Sequence, residues 1–117
     1  MKLAVVGSQG FRDWFKLDKV LAKINSTKTI TLIISGGAFG ADRLAEQWAK
    51  DHNIETLIFK PDWNKYGKRA GIIRNADIIN NSDAVVAFWD EKSPGTKNSI
   101  DRANKLNKPL LIVRYLK

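Results

Sequence analysis

The stretch Leu32-Ile33-Ile34-Ser35-Gly36-Gly37-Ala38-Phe39-Gly40-Ala41-Asp42 changes character twice. An apolar, β-branched run stops at Ser35-Gly36-Gly37. After Gly40 a helical pattern starts, with Ala41, Leu44, Ala45, Trp48 and Ala49 on one face against Asp42, Arg43, Glu46, Gln47 and Lys50. The reading is strand, glycine-rich turn, helix. Backbone N–H groups point outward at such a turn, and the helix dipole favours negative charge at the same point. Val5-Val6-Gly7-Ser8-Gln9-Gly10-Phe11 repeats the arrangement near the start of the chain. Neither turn is Gly-x-Gly-x-x-Gly, and neither ends in Gly-Lys-Ser/Thr, which argues against a dinucleotide dehydrogenase and a P-loop NTPase.

Working outward, Leu3–Val6 reads as strand one, and Leu17, Val20, Leu21 and Ile24 recur at helical spacing. Ile30–Ile34 is the second strand and Glu55–Phe59 the third, closed by Pro61. A loop through Trp63, Tyr66 and Gly67 leads to a helix from Arg69 to Asn80. Ala84–Phe88 is strand four, a loop through Pro94-Gly95-Thr96 precedes a helix from Lys97 to Leu106, and Pro109–Tyr115 is strand five. Strands alternate with helices, and the strands are continuous apolar runs. That predicts an α/β fold: a single Rossmann-like domain over residues 1–117, with a five-stranded parallel sheet covered by helices on both faces. Right-handed crossovers predict strand order 3-2-1-4-5. The order then reverses between strands one and four, where ligands of open α/β sheets bind at the carboxyl ends. The turns Gly7–Phe11, Ser35–Asp42 and Trp89–Thr96 are expected to converge there, with Pro61–Gly71 able to close over them.

Composition narrows the chemistry. The 117 residues are 44% hydrophobic and 27% charged, as in an ordinary globule. No apolar run approaches the roughly 20 residues that span a bilayer, and Met1–Gly7 reads as a strand rather than a signal peptide. No membrane association is expected, and the cytoplasm is the default location. There is no cysteine, so no disulfide, thiolate metal site or Cys nucleophile. His52, the only histidine, sits at a polar helix end between Asp51 and Asn53 and reads as a surface residue. No motif calls for a metal or a cofactor. The net charge of +8 is spread along the chain, with no single basic run. It serves solubility, or it provides a positive field for phosphates on nucleotides or nucleic acid.

The candidate ligand-binding residues follow from the turns. Gly7, Ser8 and Arg12 follow strand one, and Arg12 is either an anion contact or an ion-pair partner of Asp13. Gly36 and Gly37 allow close phosphate approach, while Gly40 serves either that or close packing. Ser35 donates to a phosphate or merely ends its strand. Asp42 would repel a nearby phosphate, so its role is a ribose hydroxyl or the orientation of its own loop. Gly95 and Thr96 open a second helix N-terminus, with Thr96 as its cap. Arg74 is a cation on a helix whose Ile72, Ile73, Ala76 and Ile79 read as packing. Trp63 and Trp89 follow strands three and four and either stack on a base or brace a loop. Trp48 lies on an apolar stripe and belongs to the core, while Trp14 stays open.

Gly7-Ser8-x-x-Phe11, Ser35-Gly36-Gly37-Ala38-x-Gly40-Ala41-Asp42, Asp62-Trp63…Tyr66-Gly67…Ala70-Gly71…Arg74-Asn75 and the late Gly95-Thr96 occur in that order. Together they resemble the SLOG superfamily, in particular its small single-domain members related to YspA and YpsA. The resemblance covers nearly the whole chain and implies a Rossmann-like domain for a nucleotide or nucleotide derivative, acting in signalling or in conflict between mobile elements. It adds Asn75 to the candidate site and implies a homodimer. The superfamily also includes cytokinin-activating phosphoribohydrolases and DprA, which binds single-stranded DNA. Against the hydrolases, Arg74 keeps the place of the catalytic arginine, but Ser99 stands where they carry a glutamate, and Lys92-Ser93-Pro94 replaces their glycines. Serine cannot stabilise the cationic ribosyl centre of N-glycosidic cleavage. Asp90, Glu91 or Asp101 would have to substitute, and Arg74 is the only catalytic candidate. The leading expectation is therefore binding of a phosphorylated nucleotide derivative. A single-stranded nucleic-acid binder and a weakened nucleotide phosphoribohydrolase are the alternatives.

Overall fold

The central strand β1 (Lys2–Gly7) pairs in parallel with β2 (Leu32–Ser35) on one side and β4 (Ala84–Trp89) on the other in the computed structural model, which describes residues 1–116. β3 (Glu55–Ile58) adds to β2 and β5 (Leu110–Arg114) to β4, so the all-parallel sheet runs β3-β2-β1-β4-β5. This is the expected order, and it places the reversal between β1 and β4.

Successive strand side chains point to opposite faces. Leu3 and Val5, with Ile33, Val86 and Phe88, meet α1 (Trp14–Thr27) and α2 (Ala41–Asp51) through Leu17, Leu21, Ala41, Ala45 and Trp48. Ala4 and Val6, with Ile34, Val85 and Ala87, meet Ile78 and Ile79 of α4 (Ala70–Asn80) and Ile100 and Ala103 of α5 (Pro94–Lys105). The central strands are therefore apolar on both faces, each fully buried large aliphatic contributing about 1.5–3 kcal/mol. The edge strand β3 is exposed at every position and adds much less.

Trp48 is fully buried, and its indole N–H donates to Asp18 Oδ1 at 2.8 Å, tying α2 to α1. His52 is exposed, with its ring stacked 3.9 Å from that of Trp48. Trp14 is half-buried at the edge of the same core.

In three places the elements differ from expectation by more than one residue. β2 begins at Leu32 rather than Ile30, because Ile30 N–H is taken by Asn25 Oδ1 and Thr31 N–H by Met1 O. The loop after β3 contains a short helix, α3 (Trp63–Tyr66), capped by Asp62 accepting from Lys65 N–H, followed by a 3₁₀ turn at Gly67–Arg69. Pro94-Gly95-Thr96 is the first turn of α5 and not a loop before it. Proline fits that position because its fixed φ suits a helix start and its missing N–H would be unpaired there anyway.

Candidate ligand-binding site

At the carboxyl ends of β1 and β4 lies a cleft of about 360 Å³. Its walls come from the β1–α1 turn (Gly7, Ser8, Gln9, Gly10), from Ala38 and Asp42 before and on α2, from Arg74, Asn75 and Ile78 on α4, and from Asp90, Ser93, Pro94, Gly95, Thr96 and Ser99 at α5. Gly7, Ser8, Asp42, Arg74, Asn75, Gly95 and Thr96 thus come together from four separate parts of the sequence.

The N-terminus of α5 opens onto this cleft. Lys97 N–H makes the first intrahelical bond, to Ser93 O at 3.1 Å. The N–H groups of Gly95 and Thr96 precede it and have no carbonyl within the helix to reach. Ser93 is the cap residue but makes no cap bond. Its hydroxyl turns to Asp90 Oδ2 at 3.4 Å instead. Thr96, expected as the cap, is inside the first turn and buried.

The Ser35–Gly40 turn is organised differently. Two of its backbone donors are already used: Gly36 N–H donates to Asp42 Oδ2 at 2.9 Å and Ala38 N–H to the same oxygen at 3.4 Å. Arg74 Nη1 donates to Gly36 O at 2.9 Å. A Cβ on Gly36 would sit 2.5 Å from Arg74 Nη1 and 3.0 Å from Asp42 Oδ2, so glycine makes room for two side chains there. Gly40 has φ +88°, and a Cβ on it would lie 2.5 Å from Ser8 O, which answers its open reading in favour of packing between the two turns. Gly37 faces Ile58 and Lys60. Ser35 is buried and donates to Glu46 Oε2 at 2.8 Å.

The remaining candidates stand outside the cleft. Arg12 folds back onto the carbonyls of Gln9 and Phe11 rather than pairing with Asp13. Trp89 donates its indole N–H to Ser93 O at 3.2 Å and so braces the loop before α5. Trp63 is 60% exposed on α3, beside Gly71. Glu91 pairs with Arg114 and Asp101 with Lys97, both at 2.7 Å and away from the cleft. Asp90 alone among the three substitute carboxylates lines it. Gln9, Gly10, Ala38 and Ser93 line it as well; all four belong to the turns expected to converge, but their residue types did not mark them as contacts.

The two carboxylates of the cleft are shifted in opposite directions. Burial pushes Asp42 up to about 6, against the N–H bonds from Gly36 and Ala38 and the charge of Arg74. Asp90 accepts from Lys92 N–H at 2.9 Å and Ser93 N–H at 2.8 Å, and these bonds hold it down at about 2. Asp90 is thus a fixed anion that closes its own turn. No cluster of His, Cys, Asp and Glu suited to a metal ion occurs among the described residues. No helix among them is long and apolar enough to cross a membrane.

The fold and the paired turns are those of a SLOG-type α/β domain. The chain belongs to the YspA, cpYpsA-related SLOG family (YAcAr), whose model matches residues 1–66. It is 27% identical over 117 residues to the Gene 61 protein of Mycobacterium phage D29, covering 94% of each chain. In fold it is similar to DNA processing protein A of Streptococcus pneumoniae, with TM-score 0.79, 19% identity and 95% of this chain covered. It is also similar to DNA processing protein A of Helicobacter pylori, a protein that binds single-stranded DNA, with TM-score 0.73, 24% identity and 96% covered. The chain spans 49% and 64% of those two structures respectively, so the likeness is one of fold.

Proposed function

We propose that the cleft binds a phosphorylated nucleotide-type ligand, with the phosphate on the N-terminus of α5. The observation that carries this is the uncapped first turn of α5: Gly95 and Thr96 N–H have no helical partner and line the same cleft as Gly7–Gly10 and Arg74. Helix N-termini with free N–H groups favour anions, and Arg74 adds positive charge. The Ser35–Gly40 turn supports the site from behind, because Asp42 has taken the N–H groups of Gly36 and Ala38 and its carboxylate would repel a phosphate.

Gly95 offers a clean test. Nothing lies within 4 Å of a Cβ built there, so Gly95→Asp fits without steric cost, and a carboxylate in the first helical turn suits the dipole. The fold should persist while the anion site is blocked. In thermal denaturation with AMP, ADP, ATP, NAD, ADP-ribose and cyclic nucleotides, a ligand at about 100 times its Kd adds about 2.7 kcal/mol, a shift of several degrees. The unaltered chain should shift with at least one compound, and Gly95→Asp should not. A shift retained in Gly95→Asp would contradict the placement.

A second reading, single-stranded nucleic acid, is supported by the net charge of +8 and by the fold likeness to a single-stranded DNA binder. It separates by salt: a strand neutralised at several phosphates loses affinity steeply, because each contact releases counterions. A single phosphorylated small molecule gives a shallow slope.

A further inference from the structure

The lining of the cleft says which part of a nucleotide it can recognise. It contains no aromatic side chain, and Val6 and Ile78 are its large apolar residues. Trp89 is occupied with Ser93 O, Trp63 stands outside, and the exposed Phe39 next to Ala38 carries the Arg43 guanidinium on its face, so no aromatic ring lines the cleft itself. The walls are otherwise small and polar. Asp42 lines the same cleft with a side chain buried to all but 6%. Its Oδ2 accepts both turn N–H groups, whereas Oδ1 carries no hydrogen bond among the described residues. Oδ1 is not closed off from solvent, so a ligand in the cleft can reach it, and hydroxyl groups give a carboxylate oxygen short, charge-assisted bonds. Acidic residues hold ribose hydroxyls in dinucleotide sites for this reason.

Building on the phosphate placement above, we propose that the cleft selects a 5-phosphorylated ribose: the phosphate lies on the α5 N-terminus, the vicinal hydroxyls reach Asp42 Oδ1, and the base stays outside. Recognition is then of sugar and phosphate, with discrimination of ribose from deoxyribose and little between bases.

Isothermal titration with AMP, GMP, CMP, ribose 5-phosphate, dAMP and inorganic phosphate tests this. The three ribonucleotides and ribose 5-phosphate should bind within about threefold of one another, and dAMP about tenfold more weakly, as expected for loss of a hydrogen bond to a charged group. In Asp42→Asn the amide oxygen keeps the two backbone N–H groups and the NH₂ faces the hydroxyls. The ratio of AMP to dAMP affinity should fall below about threefold while inorganic phosphate binds as before. Equal affinity for AMP and dAMP in the unaltered chain, or affinity that follows the base, overturns the ribose assignment and leaves the phosphate site standing. Failure of every phosphorylated compound to bind, or binding that survives Gly95→Asp, overturns both. The unaltered protein's AMP to dAMP ratio decides the matter even if Asp42→Asn does not fold.

Discussion

Arg74 and Asp42 hold the two ends of one residue, Gly36. The guanidinium donates to its carbonyl and the carboxylate accepts from its N–H, each at 2.9 Å. Two charged side chains from α4 and α2 thereby fix the backbone at the end of β2, and a single glycine hydrogen is all that separates them. The turn that looks most like a phosphate cradle is bonded to Arg74 and to its own Asp42.

Gly36→Ala should therefore act through Arg74 and not through backbone flexibility. The methyl would overlap the guanidinium, and relieving the overlap is expected to cost roughly 1–3 kcal/mol. Urea denaturation should show that loss together with weaker phosphate binding. A variant as stable as the parent, with unchanged affinity, would mean the contact carries no weight.

Asp42 makes stability depend on pH in a defined direction. Its folded pKa, about 6, lies above the usual carboxylate range because the group is buried. The folded state holds this proton more tightly, so its contribution is complete below about pH 4 and is lost as pH rises through 6. The ionised form costs about 3 kcal/mol above that window, an order-of-magnitude figure from the size of the shift. Of its charged neighbours, Arg74 lowers the value and Glu46 raises it. Asp42→Asn should flatten the stability profile between pH 4 and 6 relative to the parent and be the more stable of the two at pH 7. Parallel profiles across that window would refute this.

Tyr115 carries a buried hydroxyl that lies beside Ser8 without a well-formed hydrogen bond, and its ring packs edge-on against Phe11 at 5.0 Å. Tyr115→Phe removes an unsatisfied polar group and keeps the ring. Stability should hold or rise by up to about 1 kcal/mol. A clear drop in the denaturation midpoint would show that the hydroxyl is bonded in solution.

Trp63 is expected to be a bystander for small ligands. It is 60% exposed and does not line the cleft. Trp63→Ala should leave the Kd for a 5′-ribonucleotide within twofold. A loss of fivefold or more would place the base on α3 and move the site.

The fold was legible because five apolar runs alternate with helical periods, and parallel strands buried on both faces leave that signature. Gly7, Ser8, Asp42, Arg74, Asn75, Gly95 and Thr96 could be picked out from turn position and motif. What stayed hidden was which groups satisfy one another. Spacing does not reveal that Asp42 turns back onto Gly36 N–H, nor that Arg12 folds onto its own turn. Thr96 is the expected cap of α5; the cap position falls on Ser93 instead, and its hydroxyl turns to Asp90, a partner that spacing does not reveal. Asp90 looked like one of three interchangeable carboxylates. Tertiary placement separates it from Glu91 and Asp101, whose partners are Arg114 and Lys97.

The most direct measurement is a titration of ¹⁵N-labelled protein with AMP, followed by amide chemical shifts. The account expects the largest changes at Gly95, Thr96, Gln9 and Gly10, with Gly36 and Ala38 little altered because Asp42 already holds their N–H groups. Changes centred on Gly36–Phe39, or spread along Lys60–Arg69 with α5 silent, would contradict it.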